Sequence, residues 1–352
     1  MNNGIEKYIG NRELTLIEAM QRIDDNAAGI LYIVNEAGQL EGSLSDGDIR
    51  RWIIKTGRLN DSVADAYYNN TSFVFESEIE KADEIMKRNK FHSIPVLDIG
   101  RRIIDILFDE SSTDDIKNRS ERLKNTPIVI MAGGKGTRLY PYTKILPKPL
   151  VPIGEIPILE RILNQFHRFG SDSFTIVVNY KKDMIKAYFA DQNLPYKLYF
   201  IDENDPLGTA GGIRLIKRKF DVPIIITNCD ILIRTDYNKV LEHHLESKND
   251  MTIVSSLRTT VIPYGVIHSK EQGIVERMEE KPKISNFINT GMYILNPEYV
   301  KWIPENEVFH MTDLADKLVK SGKRVGMYPI SETSFLDMGE FEEMKKMEER
   351  LL

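Results

Sequence analysis

The chain holds a single cysteine, Cys229, among its 352 residues, and no apolar run approaches the length needed to span a bilayer. One cysteine excludes an intramolecular disulfide framework and suits a reducing compartment. The opening MNNGIEKYIG has no apolar segment of the signal-peptide kind. A spanning helix is therefore not expected, no membrane partner is expected, and a cytoplasmic setting is. A surplus of positive charge is missing too. The formal net charge is −6, which argues against nucleic acid as a partner. The six histidines show no paired metal-ligand spacing, and His243-His244 is expected to decorate a helix face. No Gly-Lys is followed by Ser or Thr, so the P-loop pattern is absent. The remaining composition, 41% hydrophobic and 28% charged, is that of an ordinary globular protein long enough for two or three cores.

The most informative stretch is IVIMAGGKGTRLYPYTKILPKPLVPIG, from Ile128 to Gly154. A β-type apolar run empties into a loop with Gly133, Gly134 and Gly136. Arg138 follows, then Lys144 and Lys148. Glycines remove the Cβ barrier and let backbone N–H groups approach a ligand. The neighbouring cations suit a polyanion such as a nucleoside triphosphate. The spacing G-G-x-G-x-R-L is not the dinucleotide fingerprint. A Gly-rich turn explains the glycines alone, but not the glycines together with Arg138 and Pro147-Lys148-Pro149.

These residues resemble the signature of sugar-1-phosphate nucleotidylyltransferases, and the resemblance covers nearly all of residues 126–352. It implies a Rossmann-like, mostly parallel α/β sheet. The implied reaction is in-line attack of a sugar-1-phosphate oxygen on the α-phosphorus of a nucleoside triphosphate, releasing pyrophosphate, with no protein nucleophile. Ala132, Gly133, Gly134, Gly136 and Thr137 would cradle the nucleotide. Arg138 would hold the departing phosphates, and Lys148 would sit at the reacting ones. Asp230 closes the run IIITNCD, and Asp337 lies in FLDMG. Either alone reads as a turn or cap residue, but together they match family positions that hold Mg²⁺. Cys229 reads as a small core residue without chemistry.

The stretch ENDPLGTAGG resembles the loop that closes on the nucleobase, with Glu203, Gly208 and Thr209 at its contacts. Guanine offers N1–H and N2–H₂ donors that one carboxylate can accept together, which favours GTP; a solvated loop acid is the other reading of Glu203. Glu280-Lys281 and Asn289-Thr290-Gly291 resemble the segments that reach the sugar and its phosphate.

Alternation in the second segment predicts strands at Ile128–Met131, Phe174–Val178, Leu198–Ile201, Pro223–Thr227 and Met251–Ser255, and helices at Ile158–Phe169 and Tyr237–Ser247. A polar break at Asp109–Thr126 precedes it. Before the break a helix–strand–turn–strand pattern occurs twice: Leu16–Ile23, Gly29–Val34 and Asp48–Lys55 first, then a helix at Ile79–Lys90 and strands at Ser93–Asp98 and Arg102–Phe108. This resembles a tandem pair of cystathionine-β-synthase (CBS) domains with the order βαββα. The boundaries are about 1–60 and 61–118, ahead of a catalytic domain at 126–352. Ser45 and Asp48 have the family spacing for the ribose of an adenine nucleotide, and they equally suit a helix cap. CBS pairs associate face to face, which implies a homo-oligomer.

A CBS pair fused to this catalytic segment resembles the glucosamine-1-phosphate guanylyltransferases of legionaminic acid biosynthesis. The resemblance implies GTP and a hexose-1-phosphate, glucosamine-1-phosphate first, as substrates. Mannose-1-phosphate, or a UTP- or CTP-using enzyme, is the alternative. An inactive nucleotide sensor is the outside alternative, and intact Arg138, Lys148, Asp230 and Asp337 count against it.

Overall fold

A computed structural model of the chain describes residues 4–26, 28–109 and 121–351. It contains two compact units, Met1–Arg119 and Ser120–Leu352.

Among its described residues the first unit uses the order β-α-β-β twice, and the position of a second closing helix lies outside them. β1 (Ile9–Asn11), α1 (Leu16–Asn26), β2 (Ile30–Val34), β3 (Leu40–Ser45) and α2 (Asp46–Thr56) are followed by β4 (Val74–Phe75), α3 (Ala82–Asn89), β5 (Ser93–Leu97) and β6 (Ile103–Phe108). In each three-stranded sheet the first strand runs parallel to the middle one and the third runs antiparallel. The hairpin turns repeat as well. The Asn35 side chain accepts the Gln39 N–H at 3.0 Å, and Asp98 accepts that of Arg102 at 2.8 Å. Between the repeats the buried Tyr32 hydroxyl meets Ser93 Oγ at 2.8 Å, over a core of Tyr32, Leu40, Leu97, Ile103 and Ile106.

One expectation here is corrected. The helix predicted from Ile79 starts only at Ala82, because Glu76–Lys81 is a 3₁₀ segment broken at Glu78 (φ −123°). Ile79 is exposed and anchors nothing, whereas Ala82 and Met86 are buried. Most of the predicted break at Asp109–Thr126 lies outside the described residues; Glu121–Asn125 is a 3₁₀ turn whose Leu123 enters the core of the second unit.

The second unit opens with β7 (Ile128–Ala132), buried at all five positions as a strand covered on both faces must be. Then come α4 (Tyr142–Ile145), the short strands β8 (Pro152–Ile153) and β9 (Ile156–Pro157), α5 (Ile158–Arg168), β10 (Ser173–Val178), α6 (Lys182–Ala190) and β11 (Lys197–Asp202). α7 (Gly208–Gly211), β12 (Ile224–Asn228), β13 (Ile231–Ile233), α8 (Tyr237–Glu246), β14 (Met251–Val261), β15 (Val266–Ser269), β16 (Val275–Glu279) and β17 (Lys283–Leu295) follow. The unit closes with α9 (Met311–Lys320), β18 (Val325–Ile330), β19 (Phe335–Asp337) and α10 (Phe341–Leu351).

The main sheet has seven strands in the order β11-β10-β7-β12-β17-β14-β18. β11, β10, β7 and β12 run parallel, and β17 inserts antiparallel between β12 and β14. The loops after Ala132, Val178, Asp202 and Asn228 consequently leave the same edge, where an open α/β sheet places its ligand. α5 packs Ile158, Leu159, Ile162, Leu163 and Phe166 onto the sheet, and Phe166 stacks on Tyr237 at 4.3 Å between ring centroids. Each such side chain contributes about 1.5–3 kcal/mol by leaving water.

A second correction concerns α8. His244 does not decorate its surface; it is buried, with Nδ1 2.8 Å from Thr252 Oγ1 and Nε2 3.1 Å from Asn296 Oδ1. Burial lowers its pKa and favours the neutral ring. His243 contacts the Met327 carbonyl oxygen at 3.1 Å.

Candidate active site

A cleft of about 400 Å³ opens at that sheet edge, between the loops that follow β7, β11 and β12. Its wall includes Gly133, Gly134, Gly136, Thr137, Arg138 and Lys148 from the first loop, Glu203, Gly208 and Thr209 from the second, and Asp230 from the third. Residues predicted from three separate stretches of sequence thus meet at one place.

Local structure explains the glycines. Gly136 has φ +66° and starts the 3₁₀ turn Thr137–Leu139. A methyl there would lie 3.0 Å from both Lys148 Cβ and Thr143 Cγ2. Thr143, unmarked by the sequence, fixes the same point from behind by donating its hydroxyl to the Gly136 carbonyl at 2.7 Å. A methyl on Gly133 would approach Glu203 Oε2 to 2.6 Å, whereas one on Gly134 would meet nothing within 4 Å. Gly133 is therefore glycine for packing. Gly134 presents open backbone on the cleft wall.

Lys148 begins the turn Lys148–Leu150 after Pro147 and is only 6% exposed. Its ammonium forms an ion pair with Asp230. Asp337 arrives by β-pairing. β13 and β19 form a two-stranded antiparallel ribbon with Ile231 opposite Asp337, and the Met338 N–H donates to the Asp230 carbonyl at 2.9 Å. A methyl on Gly339 would lie 3.1 Å from Asp337 Oδ2 and 3.3 Å from Arg138 Nη1, so those side chains converge as well. Burial, then the charge of Asp230, raises the Asp337 pKa, and Lys148 and Arg138 act against the rise. Each of the four predicted catalytic residues touches or electrostatically senses another.

Two adjacent carboxylates suit a hard divalent cation that completes its shell with phosphate oxygens and water. Among the described residues no cluster of three or more acidic, histidine or cysteine ligands offers an all-protein cage. Asp230 and Asp337 supply two carboxylates of that kind.

Glu203 is 4% exposed, and its Oε1 accepts the Leu207 N–H at 3.1 Å. Burial raises its pKa against that hydrogen bond. It is not a solvated loop acid.

Other predicted residues lie elsewhere. Ala132 is buried at the end of β7. Lys144 sits over the Tyr140 ring, 5.4 Å from its centroid, and is not on the cleft wall. Glu280 and Lys281 are exposed in the turn between β16 and β17, also away from the wall. Asn289 donates to the Tyr293 hydroxyl at 2.6 Å, and buried Thr290 donates to the Val254 carbonyl at 2.7 Å. Gly291 packs against Asn228, a wall residue that the sequence reading missed. Cys229 is buried as expected and also lines the cleft; burial pushes its thiol up to about 12, which keeps it unreactive. In the first unit, Ser45 and Asp48 form a reciprocal cap at the start of α2. The Ser45 hydroxyl lies 2.6 Å from Asp48 Oδ2, and Arg51 pairs with the same carboxylate.

Comparison with known proteins identifies what the second unit is similar to. The chain is 29% identical over 225 residues to D-glycero-alpha-D-manno-heptose 1-phosphate guanylyltransferase of Aneurinibacillus thermoaerophilus, a match covering 63% of this chain and 97% of that relative. It is 32% identical to UTP–glucose-1-phosphate uridylyltransferase of Synechocystis sp. over 55% of each protein. It is 34% identical to mannose-1-phosphate guanyltransferase of Debaryomyces hansenii over 50% of this chain and 51% of that one. The chain spans about half the length of the latter two relatives. The crystal structure of HddC from Yersinia pseudotuberculosis superposes with a TM-score of 0.52 at 29% identity, over 64% of this chain and all of HddC. A second HddC structure, complexed with GMP-PN, gives 0.50. The CBS domain profile matches residues 11–55, the first of the two structural repeats. The nucleotidyl transferase profile matches residues 128–352, and the chain belongs to that family.

Proposed function

We propose that this protein transfers GMP from GTP to a hexose-1-phosphate, giving a GDP-sugar and pyrophosphate. The observation that carries this reading is the meeting of Arg138, Lys148 and Asp230 on one wall with the open Gly134 backbone, and Asp337 tied in beside Asp230. Nucleotidyl transfer brings several anions together and builds charge on the leaving pyrophosphate, so fixed cations and backbone donors supply the catalysis. Arg138 would hold the leaving phosphates and Lys148 the reacting ones. Asp230 and Asp337 would hold Mg²⁺, which neutralises phosphate charge when bound.

Guanine as the base is supported by the Glu203 carboxylate on the cleft wall and by the guanylyltransferase names of two of the relatives described above. Glucosamine-1-phosphate is our first choice of acceptor, within legionaminic acid biosynthesis, because the CBS repeat precedes the catalytic fold; mannose-1-phosphate is the second. Glu280, Lys281 and Asn289 to Gly291 would serve the sugar side. We further assign an adenine nucleotide to the Ser45–Asp48 region, a homo-oligomeric state and a cytoplasmic setting. No described helix is long and apolar enough to cross a membrane.

Pyrophosphate release with Mg²⁺, crossing GTP, UTP, CTP, ATP and dTTP with glucosamine-, N-acetylglucosamine-, mannose- and glucose-1-phosphate, tests the reading. GTP with glucosamine-1-phosphate is the expected dominant pair. A dominant UTP or CTP signal would overturn the base assignment, and a grid silent with and without adenine nucleotides would overturn the choice of acceptor in favour of a rarer sugar phosphate.

A further inference from the structure

The nucleotide side of the cleft is built from a loop that, by its composition, should not hold its shape. Gly208, Gly211 and Gly212 fall within five residues, and each glycine adds backbone freedom that must be removed before a ligand is bound. Gly208 has φ +80° and lines the cleft with Thr209.

The outer side of this loop is seated on the segment Glu305–Met311. The Ala210 and Gly211 N–H groups donate to the Phe309 carbonyl at 3.0 and 3.1 Å, and the Phe309 N–H donates to the Leu207 carbonyl at 2.8 Å. Thr209 is held twice. Its hydroxyl oxygen accepts the Met311 N–H at 3.0 Å, and its own N–H donates to His310 Nδ1 at 3.4 Å. The His310 ring also lies against Gly208, where an added methyl would meet Cε1 and Nδ1 at 3.1 Å. His310 is itself fixed at the start of α9, its N–H donating to Asp313 Oδ2 at 2.8 Å. Arg214 and Glu305 close the far end with an ion pair.

We infer that His310 is a positioning residue for the nucleotide. Its ring braces Gly208 and Thr209 from behind, so the loop is already ordered when the nucleotide arrives. His310 is not on the cleft wall, so it acts through Thr209 and touches no substrate. An acceptor at Nδ1 requires the tautomer with its proton on Nε2. The benefit is preorganisation: the ordering cost of the loop is met on folding and not on binding. Nucleotide affinity should therefore depend on His310 while sugar-phosphate affinity does not. This inference rests on the nucleotidyl-transfer reading above.

The test compares His310→Phe, which keeps a flat ring but loses the acceptor, with His310→Asn, whose Oδ1 replaces Nδ1. His310 is exposed, so neither substitution disturbs the core. Calorimetric titration with GTP, without sugar phosphate, should show the Phe variant binding about fivefold more weakly, the loss of one modest hydrogen bond. The Asn variant should return to within about twofold of wild type. In turnover the Phe variant should raise the nucleotide KM by a similar factor, leaving kcat and the sugar-phosphate KM near wild type. Equal GTP binding by all three proteins, or equal loss of affinity for both substrates, would overturn the positioning role and leave the reaction assignment standing. A wild-type protein that binds none of GTP, UTP, CTP, ATP or dTTP would overturn both.

Discussion

Lys148 and Asp230, 82 residues apart in sequence, meet as an ion pair on the cleft wall, and both side chains are largely withdrawn from water. The ammonium therefore holds one of the two carboxylates that would bind a cation. Lys148→Met should cut turnover by about 100-fold or more, the usual cost of removing a fixed charge aimed at developing charge. It should also tighten Mn²⁺ binding in a substrate-free titration, because Asp230 loses its competitor. Activity within threefold of wild type would remove Lys148 from the reacting phosphates.

Asp337→Asn should separate activity from stability. Burial and the neighbouring Asp230 raise its carboxyl above the ordinary 3.8, so the folded protein holds this proton more tightly than the unfolded chain does. Below 3.8 the group is neutral in both states and costs nothing. As pH rises past the raised pKa, the folded state carries a charge it disfavours, and stability is lost. The amide should accordingly raise the melting temperature at pH 7.5 by about 2 °C, with the gain shrinking as pH falls towards 4. Turnover should fall at least about 100-fold in the same variant. Asp230→Ala should likewise abolish turnover with an unchanged circular dichroism spectrum; retention of near-normal rates at saturating Mg²⁺ in either variant would take that residue out of the metal site.

Two glycines should respond differently to the same methyl group. Gly134→Ala meets no neighbour, so its melting temperature should match wild type while nucleotide affinity drops several-fold, since the methyl enters ligand space. Gly208→Ala places Cβ 2.6 Å from the Phe309 carbonyl oxygen at a left-handed φ and should lower the melting temperature by several degrees. Thermal melts paired with GTP titrations read both effects.

Glu203→Gln should weaken the preference for GTP over UTP, measured as the ratio of kcat/KM. The amide retains an acceptor for the Leu207 N–H but gives up one acceptor oxygen for a donor. An unchanged ratio would place base reading elsewhere, in the backbone around Gly208.

The parts of this molecule legible in the sequence are those with a local signal. β7, β10, β12 and α5 announce themselves by apolar runs or helical spacing, and the glycine loop by composition. Asp337 was named only through resemblance, because a three-residue strand pairing with another three-residue strand has no period to detect. The brace from Glu305 to Met311 was invisible for a related reason: His310 and Met311 lie 101 and 102 residues from the Thr209 they hold, and no local pattern links them. His244 misled because its polar side chain is satisfied by Thr252 and Asn296, partners that only the fold brings near. The β15–β16 hairpin went unread because its apolar residues, Ile267 and Met278 among them, are exposed and follow no buried pattern.

The ribbon that seats Asp337 beside Asp230 also has a temporal meaning. A ribosome making this chain releases the glycine loop, Lys148 and Asp230 more than a hundred residues before Asp337. An unfinished chain that stops short of β19 lacks the carboxylate we assign, together with Asp230, to the metal, so on this reading catalysis waits for the last strand.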